Sequence, residues 1–246
     1  MMKAVMVKLL CLGLVAFGMT NLTAGEIEDN IIDKIQTINA GIKVDTIIQS
    51  PWPGMYEVTL VSGEVIFSDE NAQYMVLGQM FNLSPEQGFV NLSQQKNERR
   101  VAKTLAKVDS SEQIVYAALG EEKAVISVFT DISCYYCKKL HKALPQLQKS
   151  GVTIKYMAFP RAGIGSEVAN QMSSIWCAKD PAKAMDIAKQ TGRVNALTCD
   201  DPVQKQFELA RQLGVNATPT IFTQTGAKIS GFASAESLLQ ELGVLN

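Results

Sequence analysis

The sequence predicts an α/β protein. A larger C-terminal domain is built on a strand–helix–strand unit, and a linker helix and a small α+β domain precede it. Three observations carry this reading. The apolar, β-rich run Ala124-Val125-Ile126-Ser127-Val128-Phe129-Thr130 leads into Cys134-x-x-Cys137 and then into Leu140, Leu144 and Leu147 at helical spacing. A second apolar run, Val152 to Phe159, returns just past Gly151. Finally, 47% hydrophobic and 19% charged residues over 246 positions describe a chain that can bury a core, which excludes a disordered protein.

The elements follow in order. Residues 1–24 read as a secretory signal peptide. Lys3 and Lys8 precede an apolar stretch from Leu9 to Met19, no acidic residue occurs before Glu26, and Leu22-Thr23-Ala24 offers small residues for cleavage. The stretch is too short to span a bilayer, and Cys11 lies at its front, where no lipid attachment would follow cleavage. The rest is expected to be exported into a compartment where disulfides persist. Residues 25–84 form the small domain. Ile27, Ile31, Ile35 and Ile38 make an amphipathic helix ending near Gly41, and Val44 to Gln49, Met55 to Val61, Val65 to Phe67 and Gln73 to Leu77 read as short strands. So small a core favours pairing with a second copy, which would also cover strand edges. Residues 85–110 read as a solvated linker helix carrying Glu98-Arg99-Arg100.

Residues 111–246 hold the larger domain. Two apolar strands joined by a helix with a short return make a right-handed βαβ unit with parallel strands. Pro145 interrupts the helix pattern and Gly151 stops it. Residues 166 to 190 read as helical, with Val168, Met172, Ile175 and Trp176, then Ala184, Ile187 and Ala188, on a buried face. A helix over 203 to 213 follows. A strand entered through Pro219 and a hairpin at Gly226 come next, and Ser234 caps a last helix.

The chemistry concentrates at the C-x-x-C pair. Where a strand turns into a helix, the free N–H groups and the helix dipole stabilise a thiolate. Cys134 is therefore expected to be the exposed nucleophile, and Cys137, one turn inward, the resolving thiol. Two other readings remain open for the pair. It could be an inert disulfide, or it could join His141 in a metal site that lacks the second half of its ligand set. Covalent haem attachment is excluded, because Lys138 stands where a His is required. With one His, a net charge of −1 and no long basic run, the chain offers little for a His-rich metal centre or for nucleic acid. No metal or cofactor is expected.

Phe129-Thr130-Asp131-Ile132-Ser133-Cys134-Tyr135-Tyr136-Cys137, Ala158-Phe159-Pro160-Arg161, Ile175-Trp176-Cys177-Ala178-Lys179-Asp180 and Thr218-Pro219 together resemble the DsbC/DsbG family of bacterial periplasmic disulfide isomerases. The resemblance implies a thioredoxin-like catalytic domain with a helical insertion, an N-terminal dimerisation domain and a periplasmic homodimer. It implies action on misfolded, disulfide-containing exported proteins, with the inner-membrane reductase DsbD as electron donor. It also implies that Thr218-Pro219 is a cis-proline loop facing the active cysteines and binding substrate beside Tyr135 and Tyr136, and that Cys177 and Cys199 form a structural disulfide. Tyr135 departs from the Cys-Gly-Tyr-Cys usual in the family, so the redox potential does not carry over. A thiol oxidase or reductase of the same fold, and a dimeric chaperone with secondary thiol activity, are the alternatives to an isomerase.

Overall fold

The computed structural model describes residues 23–84, 86 and 88–245, and the chain divides into two units. The leader expected over 1–24 thus lies outside the described residues, apart from Thr23 and Ala24.

The first unit comprises the residues up to Leu60 together with Ile66–Val76. It opens with α1 (Ala24–Ile38). The Thr23 side chain accepts from the Glu26 N–H, while the Glu26 carboxylate accepts from the Thr23 N–H at 2.7 Å. Two otherwise orphaned donors are thereby satisfied. Ile27, Ile31 and Ile35, four residues apart, bury one helix face, but Ile38 is 73% exposed and does not join them. It is the last residue of α1. One sheet follows in the order β1 (Val44–Gln49), β2 (Met55–Leu60), β3 (Val65–Asp69), β4 (Met75–Leu77). β1 and β2 run antiparallel. Val58, Leu60, Ile66 and Ala72 close the core against the isoleucines.

The second unit comprises Val61–Val65 and everything from Leu77 onward. A short ribbon, β5 (Phe81–Asn82) with β6 (Val90–Asn91), runs into α2 (Leu92–Leu105), which Asn91 caps. The helix expected as a linker is not solvated all round. Val101 and Leu105 are buried with Phe129, Met157 and Phe222, because they share one face of α2 at i, i+4.

A single turn at Ser110–Glu112 leads to β7 (Ile114–Tyr116), then β8 (Ala124–Thr130), α3 (Tyr135–Lys149) and β9 (Val152–Ala158). The residues expected as one helix from 166 to 190 divide into α4 (Glu167–Trp176) and α5 (Pro181–Thr191). Asp180 accepts from the Lys183 N–H and Pro181 occupies the first turn, a start signal that ends the preceding helix. The phase changes at the break, which leaves Ile187 exposed and brings Met185 inside. α6 (Val203–Gln212), β10 (Thr220–Thr223), β11 (Lys228–Ser230) and α7 (Ala235–Glu241) complete the unit.

The five strands are ordered β11-β10-β8-β9-β7. β8 and β9 are parallel, in register from Ala124↔Val152 to Thr130↔Ala158, and the remaining pairs are antiparallel. Strand alternation sorts the side chains. Ile126, Val128, Ile154 and Tyr156 join the core with α3, α4, α5 and α7, and Phe129, Met157 and Phe222 join that with α2 and α6. Among the described residues no helix is long and apolar enough to cross a membrane.

Candidate active site

β8 delivers Thr130, Asp131 and the turn Ile132-Ser133 to the start of α3, where Cys134 is the N-cap and Cys137 lies in the first turn. The Asp131 carboxylate builds this turn. One oxygen accepts from the Ser133 N–H at 2.7 Å and its hydroxyl at 2.6 Å, and the other accepts from the Arg161 N–H at 2.9 Å and Nε at 3.2 Å. Burial alone would push this carboxyl up, but the Ser133 and Arg161 hydrogen bonds outweigh it and hold Asp131 below its ordinary range. The result is a buried anion that fixes the loop and holds a guanidinium at its rim.

Both active-site cysteines are free thiols and both are buried, Cys134 at 2% exposure. The expectation of an exposed Cys134 is corrected. The loop before β10 lies over it, and Cys134 Sγ donates to the Thr218 carbonyl oxygen at 3.2 Å. The Thr218-Pro219 peptide is cis. The two cysteines differ in environment. Burial pushes the Cys134 thiol up, yet Thr218, the Cys137 N–H and thiol, and the Arg161 charge together bring it below the usual thiol value. Cys137 lies deeper. Its burial dominates and holds it above the usual value, although the Lys189 charge, the Thr130 hydroxyl and the Asp131 N–H oppose that. One thiol is thus prepared to ionise and its partner is held back.

Tyr135 and Tyr136, the first residues of α3, are 66% and 53% exposed and flank the pair at the surface. Their rings meet edge-on at 5.4 Å, and Tyr136 stacks on Phe232 at 6.1 Å. Lys139 Nζ lies 5.3 Å from the Phe232 ring centre and 5.7 Å from that of Tyr135. Phe232 has no sequence signal near the cysteines; only the return of the chain past β11 places it there. His141, the third residue of the metal-site alternative, faces away from a ligand role. Nδ1 hydrogen-bonds the Tyr156 hydroxyl at 3.3 Å, and Nε2 lies 3.1 Å from Asp186. No cluster able to hold a metal occurs among the described residues. Cys177 and Cys199 are joined to each other, with Cα atoms 5.6 Å apart.

Below the cysteines lies a residue the sequence reading passed over. Lys189 on α5 is 4% exposed, and its ammonium donates to Thr130 Oγ1 at 2.7 Å and to the Asp131 carbonyl oxygen at 2.9 Å. Its signal was positional, since it falls four residues after buried Met185 and so on the core face of α5.

Comparison with known proteins agrees with this geometry. The model of a thioredoxin-like domain matches residues 111–245, and that of a disulfide bond isomerase protein N-terminal domain matches residues 22–94. The thiol:disulfide interchange protein DsbC of Escherichia coli (strain K12) is 35% identical over 202 residues, covering 82% of each chain. That of Pasteurella multocida (strain Pm70) is 33% identical over 232 residues, covering 93% of this chain and 96% of the relative. The crystal structure of a disulfide interchange protein from Neisseria gonorrhoeae superposes with a TM-score of 0.50 at 28% identity, over 55% of this chain and 96% of that one. A strand–C-x-x-C–helix dithiol under a cis-proline loop, behind an N-terminal domain of its own family, therefore places this chain in the DsbC family of thiol:disulfide interchange proteins.

Proposed function

We propose that this protein is a disulfide isomerase for exported proteins, with Cys134 as the attacking thiol and Cys137 as the resolving one. The observation that carries the reading is the asymmetry of the pair. Cys134 is lowered at the start of α3 beside Thr218, and Cys137 is raised one turn deeper.

The Cys134 thiolate attacks one sulfur of a wrong disulfide. A bond forms between Cys134 and that sulfur, the substrate S–S bond breaks, and the other substrate sulfur leaves as a thiolate. That thiolate can attack a second substrate disulfide, and the final substrate thiolate then expels Cys134 unchanged. Where rearrangement stalls, Cys137 attacks the Cys134 sulfur. The substrate leaves with two more electrons and the enzyme keeps a Cys134–Cys137 disulfide. A dithiol donor must then reduce it, a part that an inner-membrane reductase of the DsbD type would play in the periplasm. Thr218 and Pro219 offer backbone groups beside the nucleophile, and the rings of Tyr135 and Tyr136 offer apolar faces to an unfolded segment.

The domain limits follow the same reading, with a dimerising part over residues 25–84, a connecting helix over 85–110 and the catalytic part over 111–246. The small unit supports a homodimer, because Ile48, Trp52, Tyr74 and Val76 are large apolar side chains left exposed on it. A dimer sets two dithiols around one substrate and raises their local concentration.

Refolding of a scrambled multi-disulfide protein tests the reading. Cys134→Ser abolishes activity, whereas Cys137→Ser keeps part of it and accumulates mixed disulfides. Equal loss in both, with no trapped complexes, overturns the roles assigned. A mature chain that light scattering finds monomeric at micromolar concentration overturns the dimer.

A further inference from the structure

Lys189 is a buried cation that the exchange steps above do not use. Burying an ammonium is costly unless its donors are satisfied and a compensating charge is near. Here the donors reach Thr130 Oγ1 and the Asp131 carbonyl oxygen, both at the end of β8 beside the dithiol. Burial holds the Cys137 thiol up, and the Lys189 charge and the Thr130 hydroxyl are the foremost influences that favour its ionisation. The line of influence therefore runs from Lys189 through Thr130 to Cys137.

We propose that Lys189 is a positioning residue for the resolving step, its ammonium acting through the Thr130 hydroxyl to stabilise the Cys137 thiolate as it attacks the mixed disulfide. In that step the Cys137 sulfur bonds to the Cys134 sulfur and the Cys134–substrate S–S bond breaks. The departing substrate sulfur takes up the proton that Cys137 gave up. No further oxidant or reductant enters. Lys189 leaves attack by Cys134 largely to the Thr218 and Arg161 contacts and assists escape from the covalent complex. The inference rests on Cys137 being the resolving thiol.

The surroundings of Lys189 fit this role. From α3 it faces Cys134, Cys137, Lys138 and His141, from β8 Asp131, and from β9 the ring of Tyr156, with its centre 6.0 Å from Nζ. Asp186, on its own helix, is engaged by Tyr116 at 2.8 Å and by His141. Burial brings the Lys189 ammonium down to about 8, and the two cysteines and Asp131 work against that loss. Lys189 is therefore charged at neutral pH, and its help to Cys137 fades as the pH rises past about 8.

In a Cys134→Ser background, Cys137 is the remaining free thiol among the described residues. Its ionisation can be followed by thiolate absorbance and by alkylation rate against pH. Lys189→Met is expected to lower the Cys137 thiolate fraction, and with it the alkylation rate, about tenfold at pH 7, where Lys189 is charged. Lys189→Arg, which keeps the charge, is expected to recover most of that loss. In the otherwise unchanged enzyme, Lys189→Met should prolong the lifetime of mixed disulfides. A Cys137 alkylation rate at pH 7 that is unchanged in a folded Lys189→Met variant overturns the proposal.

Should Lys189→Met fail to fold, the coupling is read with Lys189 present. Thr130→Val, which removes the hydroxyl that Lys189 engages, is expected to slow Cys137 alkylation at pH 7 several-fold in the Cys134→Ser background. An unchanged rate overturns it. Absence of isomerase activity together with a slowed Cys137 alkylation would refute the functional reading and leave this coupling standing.

Discussion

His141 is the only histidine in the chain, so any histidine-linked change in stability has one source. Its ring is wedged between α3, α5 and β9, with Tyr116 edge-on at 5.6 Å and Tyr156 stacked at 5.9 Å. Burial is the largest influence on it and the Lys189 charge the next. Asp186 pulls the other way, but the balance brings His141 down to about 4 from an ordinary 6.5. The neutral ring suits its partners, since Nε2–H can donate to Asp186 while Nδ1 accepts from the Tyr156 hydroxyl. Between about pH 4 and 6.5 the unfolded chain therefore binds a proton that the folded chain refuses. The contribution is present in full above 6.5 and is lost as the pH falls through the folded value of about 4. A shift of that size corresponds to about 3 kcal/mol. His141→Gln removes the titration, and whatever it costs at neutral pH, the stability gap to the natural protein should narrow by about 3 kcal/mol on going to pH 4. Urea unfolding of both proteins across that range measures the gap, and NMR of the single imidazole gives its midpoint directly. A gap that does not change with pH, or a midpoint near 6.5, would refute the reasoning.

Two further outcomes follow from the packing. Replacing Cys177 and Cys199 together by Ser releases a loop closed over a separation of 22 residues, a loss of about 3 kcal/mol on the chain-entropy estimate. Calorimetry should show melting lowered by roughly 6–12 °C, with exchange activity per folded molecule largely kept; an unchanged melting temperature would deny the cross-link a stabilising role. Gly226 has φ +89° in the β10–β11 turn, and a Cβ there would collide with the Glu98 carbonyl oxygen on α2. Gly226→Ala should cost upward of about 2 kcal/mol and raise hydrogen exchange along α2, and unaltered protection of α2 would contradict that contact.

The path from residues to structure was direct where periodicity was strong. The runs Ala124–Thr130 and Val152–Ala158 are almost wholly apolar because both faces of the sheet are covered, and such runs announce buried strands. The Leu140, Leu144, Leu147 spacing announced α3 in the same way. β7 escaped because three residues hold too little pattern to read. The break between α4 and α5 was written in Asp180-Pro181, but the apolar spacing on both sides masked it. At the site, the cysteines and Thr218-Pro219 could be identified from local pattern and resemblance. The burial of Cys134 could not, because the segment lying over it is 84 residues away in the chain. Lys189 was missed for a related reason: a lysine on a helix is read as solvated unless something reveals a polar pocket awaiting it, and that pocket is made by the end of β8.

The order of the cysteines along the chain bears on how the molecule itself matures. Among the described residues they run Cys134, Cys137, Cys177, Cys199, and the redox pair and the cross-link join neighbours in the chain, so neither loop encloses or overlaps the other. A polypeptide threaded into an oxidising compartment from its N-terminus presents the first two thiols before either of the others, then the last two together. Oxidation in order of arrival therefore yields the native set. Interleaved pairings, the kind of error an isomerase exists to repair, need thiols that arrive out of turn. Consecutive pairing therefore asks for no rearrangement of disulfides on the way to the native Cys177–Cys199 bond.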